Sequence, residues 1–336
     1  MRAADTTPIF SSRWCRRGLS AALLGGALAA GAAETPQLAF PVACAPDRDC
    51  WIQNYVDVEP GAGVRDYACG AMTYDGHKGV DIRVADRSRL ASGVEARAAA
   101  PGKVIGARDG MPDHGAGRAG AQPGRECGNG VRLEHGEGWT TQYCHLKRGS
   151  VRVRRGESVQ AGAPLGAIGL SGLTEFPHLH FQLEKDGRAV DPFRGACGAG
   201  GEPLWRADVL AALPYMALRF FNSGFASGRP EHRRVSAGEY SASAPDRGAP
   251  VLTFWFELAG VAPGDRVRYS LRGPDGALLA EREETIAQPQ AAAFRYLGRR
   301  RPGEAWPPGT YVGEASAERA GEQMIRQSVK REVLMR

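Results

Sequence analysis

The chain has 336 residues and a formal net charge of +6. This length suggests two domains, each long enough to bury its own core. The modest charge fits attraction to an anionic polymer such as a cell wall, and no compact basic patch interleaved with aromatic residues indicates a nucleic-acid partner. Helix-length amphipathic patterns are scarce after residue 35, and Gly and Pro separate short apolar stretches. A mostly β protein is therefore predicted.

Residues 1–35 have the pattern of a signal peptide. Arg13, Arg16 and Arg17 precede an apolar run, residues 19–33, that is too short and too rich in Ala and Gly to span a membrane, and its small residues suit cleavage. The alternative is an uncleaved membrane anchor. No other stretch approaches the length of a membrane span. We therefore expect an exported protein, periplasmic or elsewhere in the cell envelope, with no membrane span after signal cleavage.

Cysteine usage agrees with export. Cys15 lies in the predicted signal, and six cysteines follow it: Cys44, Cys50, Cys69, Cys127, Cys144 and Cys197. An even number in an exported chain predicts disulfides. Cys127 and Cys144 flank a predicted hairpin and form the expected pair, whereas the other pairings stay open. A cysteine-ligated zinc is the rival reading, but Cys-x-x-Cys spacing is missing.

Residues 36–197 are predicted to form the first domain, and its first candidate site residues are His77 and Asp81. Residues 80–84 alternate as a strand should. On one straight strand the two residues would lie roughly 13 Å apart, too far to share a metal. Gly76 and Gly79 permit a bend that brings them together. They would then offer zinc one nitrogen and one oxygen ligand; the alternative is a turn histidine and a solvated aspartate.

Two hairpins are predicted next. The first covers residues 91–109, with Pro101-Gly102 as its turn, and the second covers residues 131–146, with a turn at residues 136–138. Between them, residues 111–128 form a loop rich in Gly, Pro and charge, long enough for a groove wall or lid. His145 lies near the end of the second hairpin, where its side chain can reach a cleft.

Residues 176–181 are predicted to form a strand that carries His178 and His180. Residues two apart on a strand face the same way, roughly 6.5–7 Å apart. The two imidazoles can therefore converge on one metal, or on one metal and its bound water. The alternative is a pair of surface or structural histidines, and the spacing alone does not say which of the two would hold a metal.

Residues 198–213 are predicted to be a linker that includes a short helix within 204–213. Short apolar stretches separated by Pro and Gly turns then continue over residues 214–336, which predicts a β-sandwich of immunoglobulin type. This half contains one histidine, His232, and no cysteine. The sequence assigns it no chemistry, and its protein partner is unknown. The alternative is that this half carries the biological role by binding a partner or a glycan.

Three segments together resemble the motifs of the lysostaphin/LytM-type zinc metallopeptidases, peptidase family M23. They are His77-Lys78-Gly79-Val80-Asp81, Tyr143-Cys144-His145-Leu146, and the run from Ser171 to Phe181. The segments occur in the family's order, and the resemblance covers about residues 70–195. It leaves the C-terminal half unassigned.

The resemblance implies a fold, a cofactor and a reaction. The fold would be an antiparallel β-sheet with a long groove. One Zn²⁺ per chain would be held by His77, Asp81 and His180, while His145 and His178 would activate water and stabilise the oxyanion. The expected activity is that of an exported zinc metalloendopeptidase, a peptidoglycan hydrolase that cleaves peptide cross-links. The alternative is a non-enzymatic cell-wall-binding or amidase-activating protein with the same fold.

Overall fold

A computed structural model describes residues 35–336, with the exception of residues 85–89, 91–92, 114–121, 194, 199, 237, 241–244, 322–323 and 336. The predicted signal peptide therefore lies, except for Thr35, outside the described residues, as does Cys15. Among the described helices, none has both the length and the apolar character that a membrane crossing requires. The described part of the chain is almost entirely β, as predicted.

Among the described residues, the first half of the chain supplies ten strands and the second half seven. The strands are β1 (Cys50–Asn54), β2 (Val80–Val84), β3 (Glu95–Arg97), β4 (Gly102–Arg108), β5 (Asn129–Gly136), β6 (Trp139–Leu146), β7 (Ser158–Val159), β8 (Pro164–Ala167), β9 (His178–Lys185), β10 (Arg188–Val190), β11 (Arg219–Ala226), β12 (Val251–Val261), β13 (Arg266–Arg272), β14 (Leu278–Thr285), β15 (Gln290–Arg300), β16 (Gly309–Arg319) and β17 (Ile325–Met335). Two short helices are described, α1 (Ala207–Ala211) and α2 (His232–Ser236).

The main sheet is antiparallel and has the order β1-β2-β9-β6-β5-β4-β7, with β10 paired to β9. In its central strands every second residue is apolar and enters one continuous core. These residues include Val80, Leu179 and Phe181. The order matters for function because it makes β9 the neighbour of both β2 and β6. The three segments that carry the candidate site residues are therefore adjacent in the sheet, although about 100 residues separate the first segment from the last.

The hairpin predicted over residues 131–146 is confirmed as β5 and β6, and the hairpin predicted over residues 91–109 is wrong. Strand β3 pairs with β8 in a separate two-stranded sheet, whereas β4 pairs with β5 and β7 in the main sheet. The connection between β3 and β4, residues 98–101, consists of three buried alanines followed by the exposed Pro101. Their small side chains let the chain cross from one sheet to the other within the core.

The second half forms two antiparallel sheets, β11-β12-β15 and β14-β13-β16-β17. Side chains from both sheets share one core, which includes Phe254, Phe256, Tyr269 and Ala315. The predicted sandwich is thus present, and its immunoglobulin type stays a prediction. Strands β14 and β17 escaped the sequence pattern, because charged residues occupy much of both and most of their side chains are exposed.

The two halves pack against each other, and residues 35–336 form one compact unit. The segment predicted as a linker contributes buried Trp205, Val209 and Leu213 to the core of the first half. Three disulfides connect Cys44 to Cys50, Cys69 to Cys197 and Cys127 to Cys144. The last of these is the predicted pair and is confirmed.

Candidate metal centre

Strand pairing brings the predicted metal ligands together. Asp81 on β2 lies directly opposite His180 on β9, so their side chains project from the same face of the sheet. His77 precedes β2 in a tight turn, where its N–H donates to the Tyr74 carbonyl at 3.0 Å. The turn bends the chain back, and Nε2 of His77 lies 3.2 Å from Oδ1 of Asp81.

The three donor atoms fit one tetrahedral metal ion. Nδ1 of His180 lies 2.9 Å from Oδ1 of Asp81 and 3.2 Å from Nε2 of His77. Ligand atoms of one tetrahedral zinc with ordinary bond lengths are about 3.3 Å apart. Two imidazole nitrogens and one carboxylate oxygen are also a donor set that zinc accepts at sites with an open fourth position. The residues present therefore fit the ion that their pattern predicts.

Neighbouring groups fix the orientation of these ligands. Nδ1–H of His77 donates to the Tyr55 carbonyl at 2.7 Å, which leaves Nε2 for the metal. The Asn54 amide donates to Oδ2 of Asp81 at 2.7 Å, which leaves Oδ1 for the metal. Gly79 provides room for His180, because a Cβ at residue 79 would lie 2.6 Å from Cε1 of that imidazole and 2.7 Å from the Phe181 carbonyl oxygen.

His145 and His178 lie beside the three ligands. Their ring centroids are 4.7 Å apart, and those of His145 and His180 are 6.0 Å apart. Nδ1–H of His145 donates to the Ser171 carbonyl at 2.9 Å, and Nδ1–H of His178 donates to the Phe176 carbonyl at 2.9 Å. Each ring therefore keeps Nε2 for the site, and Nε2 of His178 is 3.4 Å from Oδ1 of Asp81.

The backbone of His145 adopts a left-handed conformation, with φ at 64°. Non-glycine residues rarely adopt this conformation, and such strain persists where the surroundings impose it. Here the preceding residue, Cys144, is disulfide-bonded to Cys127, and the His145 N–H donates to the Cys127 carbonyl at 2.8 Å. The disulfide thus anchors the segment that presents His145.

The cluster perturbs the ionisation of its own members. Burial alone would lower the pKa of His77, but the Asp81 carboxylate and the hydrogen bonds to Asp81 and Tyr55 raise that pKa above its usual value. Burial alone would raise the pKa of Asp81, but His77 and His178 hold it well below its usual range. Burial, together with the neighbouring His178 and His180, lowers the pKa of His145 well below its usual value.

The candidate site opens into a groove with a volume of about 830 Å³. His77, His145 and His180 line it, together with the cations Lys78, Arg108 and Arg132. Arg132 is ion-paired with Glu184, whereas Lys78 and Arg108 form no ion pair with another described residue. Nε of Arg108 donates to the Gly128 carbonyl at 2.6 Å, which holds this side chain against the groove wall.

All five residues singled out in the sequence lie in this one cluster. Sequence reasoning missed the groups that orient them, chiefly Asn54 and the carbonyls of Tyr55, Ser171 and Phe176. Asn54 lies at the end of β1, and the pairing of β1 with β2 places it opposite Asp81. His114, which lies in the predicted loop, falls outside the described residues.

Comparison with known proteins gives a family for part of the chain. Residues 75–192 match the model described as peptidase family M23. An uncharacterized metalloprotease of Haemophilus influenzae is 33% identical over 116 residues, which cover 34% of this chain and 20% of the relative. The peptidoglycan DD-endopeptidase ShyA of Vibrio cholerae is 36% identical over 67 residues, which cover 20% of this chain and 15% of the relative.

A third relative is the glycyl-glycine endopeptidase ALE-1 of Staphylococcus capitis, 32% identical over 133 residues that cover 39% of this chain and 30% of the relative. The chain thus spans about a fifth of the length of the first of these relatives and less than a third of any of the three.

Proposed function

We propose, from the peptidase family M23 domain that residues 75–192 form, that this protein is an exported zinc metalloendopeptidase that cleaves the peptide cross-links of bacterial peptidoglycan. One observation carries the proposal: Nε2 of His77, Oδ1 of Asp81 and Nδ1 of His180 converge within 2.9–3.2 Å of one another at the groove. His145 and His178 lie beside them.

In this proposal His77, Asp81 and His180 would hold the zinc ion. Bound zinc supplies a Lewis acid and lowers the pKa of water to about 7, so that hydroxide is available to attack a peptide carbonyl. Asn54 and the Tyr55 carbonyl keep the ligand atoms oriented toward the ion.

His145 and His178 transfer protons and stabilise the negative charge that develops during the reaction. Because both Nδ1–H groups are held by backbone carbonyls, both Nε2 atoms are available to the reacting groups. One ring accepts a proton at Nε2 from the attacking water and passes it to the leaving amine nitrogen as the C–N bond breaks. The other ring, when its Nε2 also carries a proton, donates a hydrogen bond to the carbonyl oxygen as negative charge develops there. Their rigid anchoring reduces the reorganisation needed during the reaction.

Two further observations support peptidoglycan as the substrate class. Relatives of this chain include proteins named for endopeptidase action, one of them on peptidoglycan. The groove also carries Lys78 and Arg108, which form no close ion pair with a described residue, although Glu126 lies near Arg108, and cations in a groove suit a substrate that bears carboxylates. Export is supported by the signal-like residues 1–35 and by three disulfides.

Digestion of purified peptidoglycan by the zinc-loaded protein, read by mass spectrometry with and without a chelator, tests the proposal. We expect cross-linked fragments to fall to monomers, with the chelator blocking the reaction. His180→Ala should abolish cleavage and lower the zinc content, whereas His135→Ala, which changes a histidine outside the cluster, should keep both.

Two results would contradict the proposal. Full cleavage by the His180→Ala protein would remove the ligand assignment. Binding of the zinc-loaded protein to the wall without any cleavage would replace the peptidase by a wall-binding or amidase-activating protein.

A further inference from the structure

A buried arginine, Arg83, lies between the candidate catalytic histidines and the C-terminal sandwich. It is two residues after Asp81 on β2 and directly opposite His178 on β9, so it shares the face of the sheet that carries the site. Only 1% of its surface is exposed. Since a buried guanidinium requires partners for its charge, the groups that surround Arg83 decide its position.

The charge of Arg83 is balanced by the sandwich. Nη2 of Arg83 donates to Oε2 of Glu257 at 3.0 Å, and Glu257, on β12, has no exposed surface. The same carboxylate accepts hydrogen bonds from Asn222 at 3.1 Å and from His232 at 2.9 Å. In the first half, Nη1 of Arg83 also donates a hydrogen bond to Oε1 of Gln53 at 2.8 Å.

The guanidinium of Arg83 also packs against aromatic rings. Its central carbon lies 5.0 Å from the ring centroid of Phe176 and 4.5 Å from that of Phe221 on β11, both within cation–π range. Nε of Arg83 has no hydrogen-bond partner among the described residues. The side chain is therefore positioned by its two terminal nitrogens and by these two rings.

Phe176 contacts both Arg83 and His178. The two rings stack with centroids 4.4 Å apart and an interplanar angle of 28°. The Phe176 carbonyl also accepts the Nδ1–H of His178 at 2.9 Å. The ring orientation of His178 thus depends on where Phe176 lies, and Phe176 packs against an arginine that Glu257 anchors.

We propose that the C-terminal sandwich positions His178 for catalysis: Glu257 anchors the Arg83 guanidinium, and Arg83 supports the Phe176 ring that packs against His178. Glu257, Arg83 and Phe176 are positioning residues and do not touch the substrate. The inference rests on the proposed function, because it assigns the sandwich a part in the same reaction.

The test measures kcat and KM on a soluble cross-linked muropeptide dimer with zinc-loaded wild type, Glu257→Gln, Phe176→Leu and the double variant. We expect each single variant to bind one zinc and to lose kcat by about tenfold or more, with KM changed less than about twofold, because small misplacements of catalytic groups are costly. The double variant should lose little more than the worse single variant, because both changes act on one chain of contacts. Phe176→Tyr, which keeps the ring, should retain kcat.

Asp265→Asn is the matched control. Asp265 is another buried carboxylate of the sandwich, ion-paired with Arg319 at 2.7 Å. It should lose thermal stability as Glu257→Gln does, yet keep kcat. Ring nitrogen NMR signals of His178, assigned by their loss in His178→Ala, should move in Glu257→Gln and stay unchanged in Asp265→Asn. If Glu257→Gln does not fold, His232→Gln, which alters a half-exposed partner of Glu257, should show the same changes on a smaller scale.

Three outcomes would overturn the inference: wild-type kcat together with unmoved His178 signals in Glu257→Gln, an equal kcat loss in Asp265→Asn, or fully additive losses in the double variant. Absence of cleavage by zinc-loaded wild type would instead refute the proposed function, and the His178 signals would still report whether the sandwich positions that ring.

Discussion

The two carboxylate oxygens of Asp81 have different partners, and one of these partners is Asn54 on the neighbouring strand β1. Oδ1 faces the histidines, while Oδ2 accepts the Asn54 amide at 2.7 Å. Without that hydrogen bond the carboxylate is free to rotate, and a buried oxygen loses its partner. Metal affinity should therefore depend on Asn54, a residue that does not itself offer a ligand in the proposed site.

We expect Asn54→Ala to weaken zinc binding by about 10- to 100-fold, the usual cost of removing a group that orients a metal ligand. Competition with a chromophoric chelator measures the affinity. Asn222→Ala, which removes an amide bonded to the Glu257 carboxylate in the sandwich, is the matched control and should leave the zinc affinity within about threefold of wild type. Equal affinities in Asn54→Ala and wild type would remove the orienting role.

Gly79 sets the space for His180. A Cβ at this position would lie 2.6 Å from the imidazole and 2.7 Å from a backbone oxygen, so the backbone itself would have to move. We expect Gly79→Ala to reduce stability by about 1–3 kcal/mol, as overpacking does, and to weaken zinc binding. Gly106→Ala is the control, because its Cβ would lie no closer than 3.7 Å to the nearest atom. Denaturant titration and zinc competition distinguish the two variants.

At the scale of the elements, the sequence predicts strands better than it predicts their partners. The alternation of residues 80–84 and the two histidines of β9 were visible, because a half-buried strand repeats every two residues. The pairing of β3 with β8 was not visible, because it depends on the buried alanines 98–100 that carry the chain between sheets.

Residue type and spacing nominated all five candidate site residues, whereas their division into three metal ligands and two catalytic histidines came from the resemblance and stays a prediction. The contacts of Asn54, Phe176 and Arg83 were not predictable, because they depend on register and on packing between the two halves. The sequence does not predict strands β14 and β17, because exposed charged residues interrupt the alternation of apolar and polar residues that identifies a strand.

The disulfide next to His145 links a structural element to the candidate chemistry. Removing it with Cys127→Ser and Cys144→Ser should cost about 3 kcal/mol of stability for a loop of this size, and should also lower kcat because the left-handed His145 backbone loses its anchor. Cys44→Ser with Cys50→Ser opens a shorter loop, and Cys44 and Cys50 are absent from the groove lining. That control should lose stability and keep kcat. Equal kcat losses in the two double variants would contradict a specific effect of the Cys127–Cys144 disulfide on His145.

At the scale of the whole molecule, a bound metal should stabilise the fold, because the three ligand residues come together only when β2 and β9 pair. A ligand present at about 100 times its Kd adds about 2.7 kcal/mol to the free energy of unfolding. We therefore expect a chelator to lower Tm, measured by differential scanning calorimetry. The same chelator should leave the Tm of His180→Ala unchanged, and an equal shift in both proteins would place the stabilising ion elsewhere.

The buried pair between the halves predicts a pH dependence. Burial alone would raise the pKa of Glu257, but Arg83 and His232 hold it below its usual 4.5. A depressed folded-state pKa adds stability that is fully present above the unfolded value and is lost as pH falls through the folded value. The loss of stability caused by Glu257→Gln should thus be largest above about pH 5 and should shrink at lower pH. Denaturant titrations of both proteins at several pH values measure it, and a constant difference would contradict the shift.

The disulfide-bonded Cys69 and Cys197 are 128 residues apart in the sequence, and every candidate site residue lies between them. A single cut by a foreign protease anywhere between these cysteines would leave the two pieces covalently joined, so neither could diffuse away. Strand β2, which carries Asp81, and strand β9, which carries His180, would stay paired at high effective concentration. In an environment rich in hydrolases, such a molecule can be nicked and remain one particle, visible as two bands only after reduction.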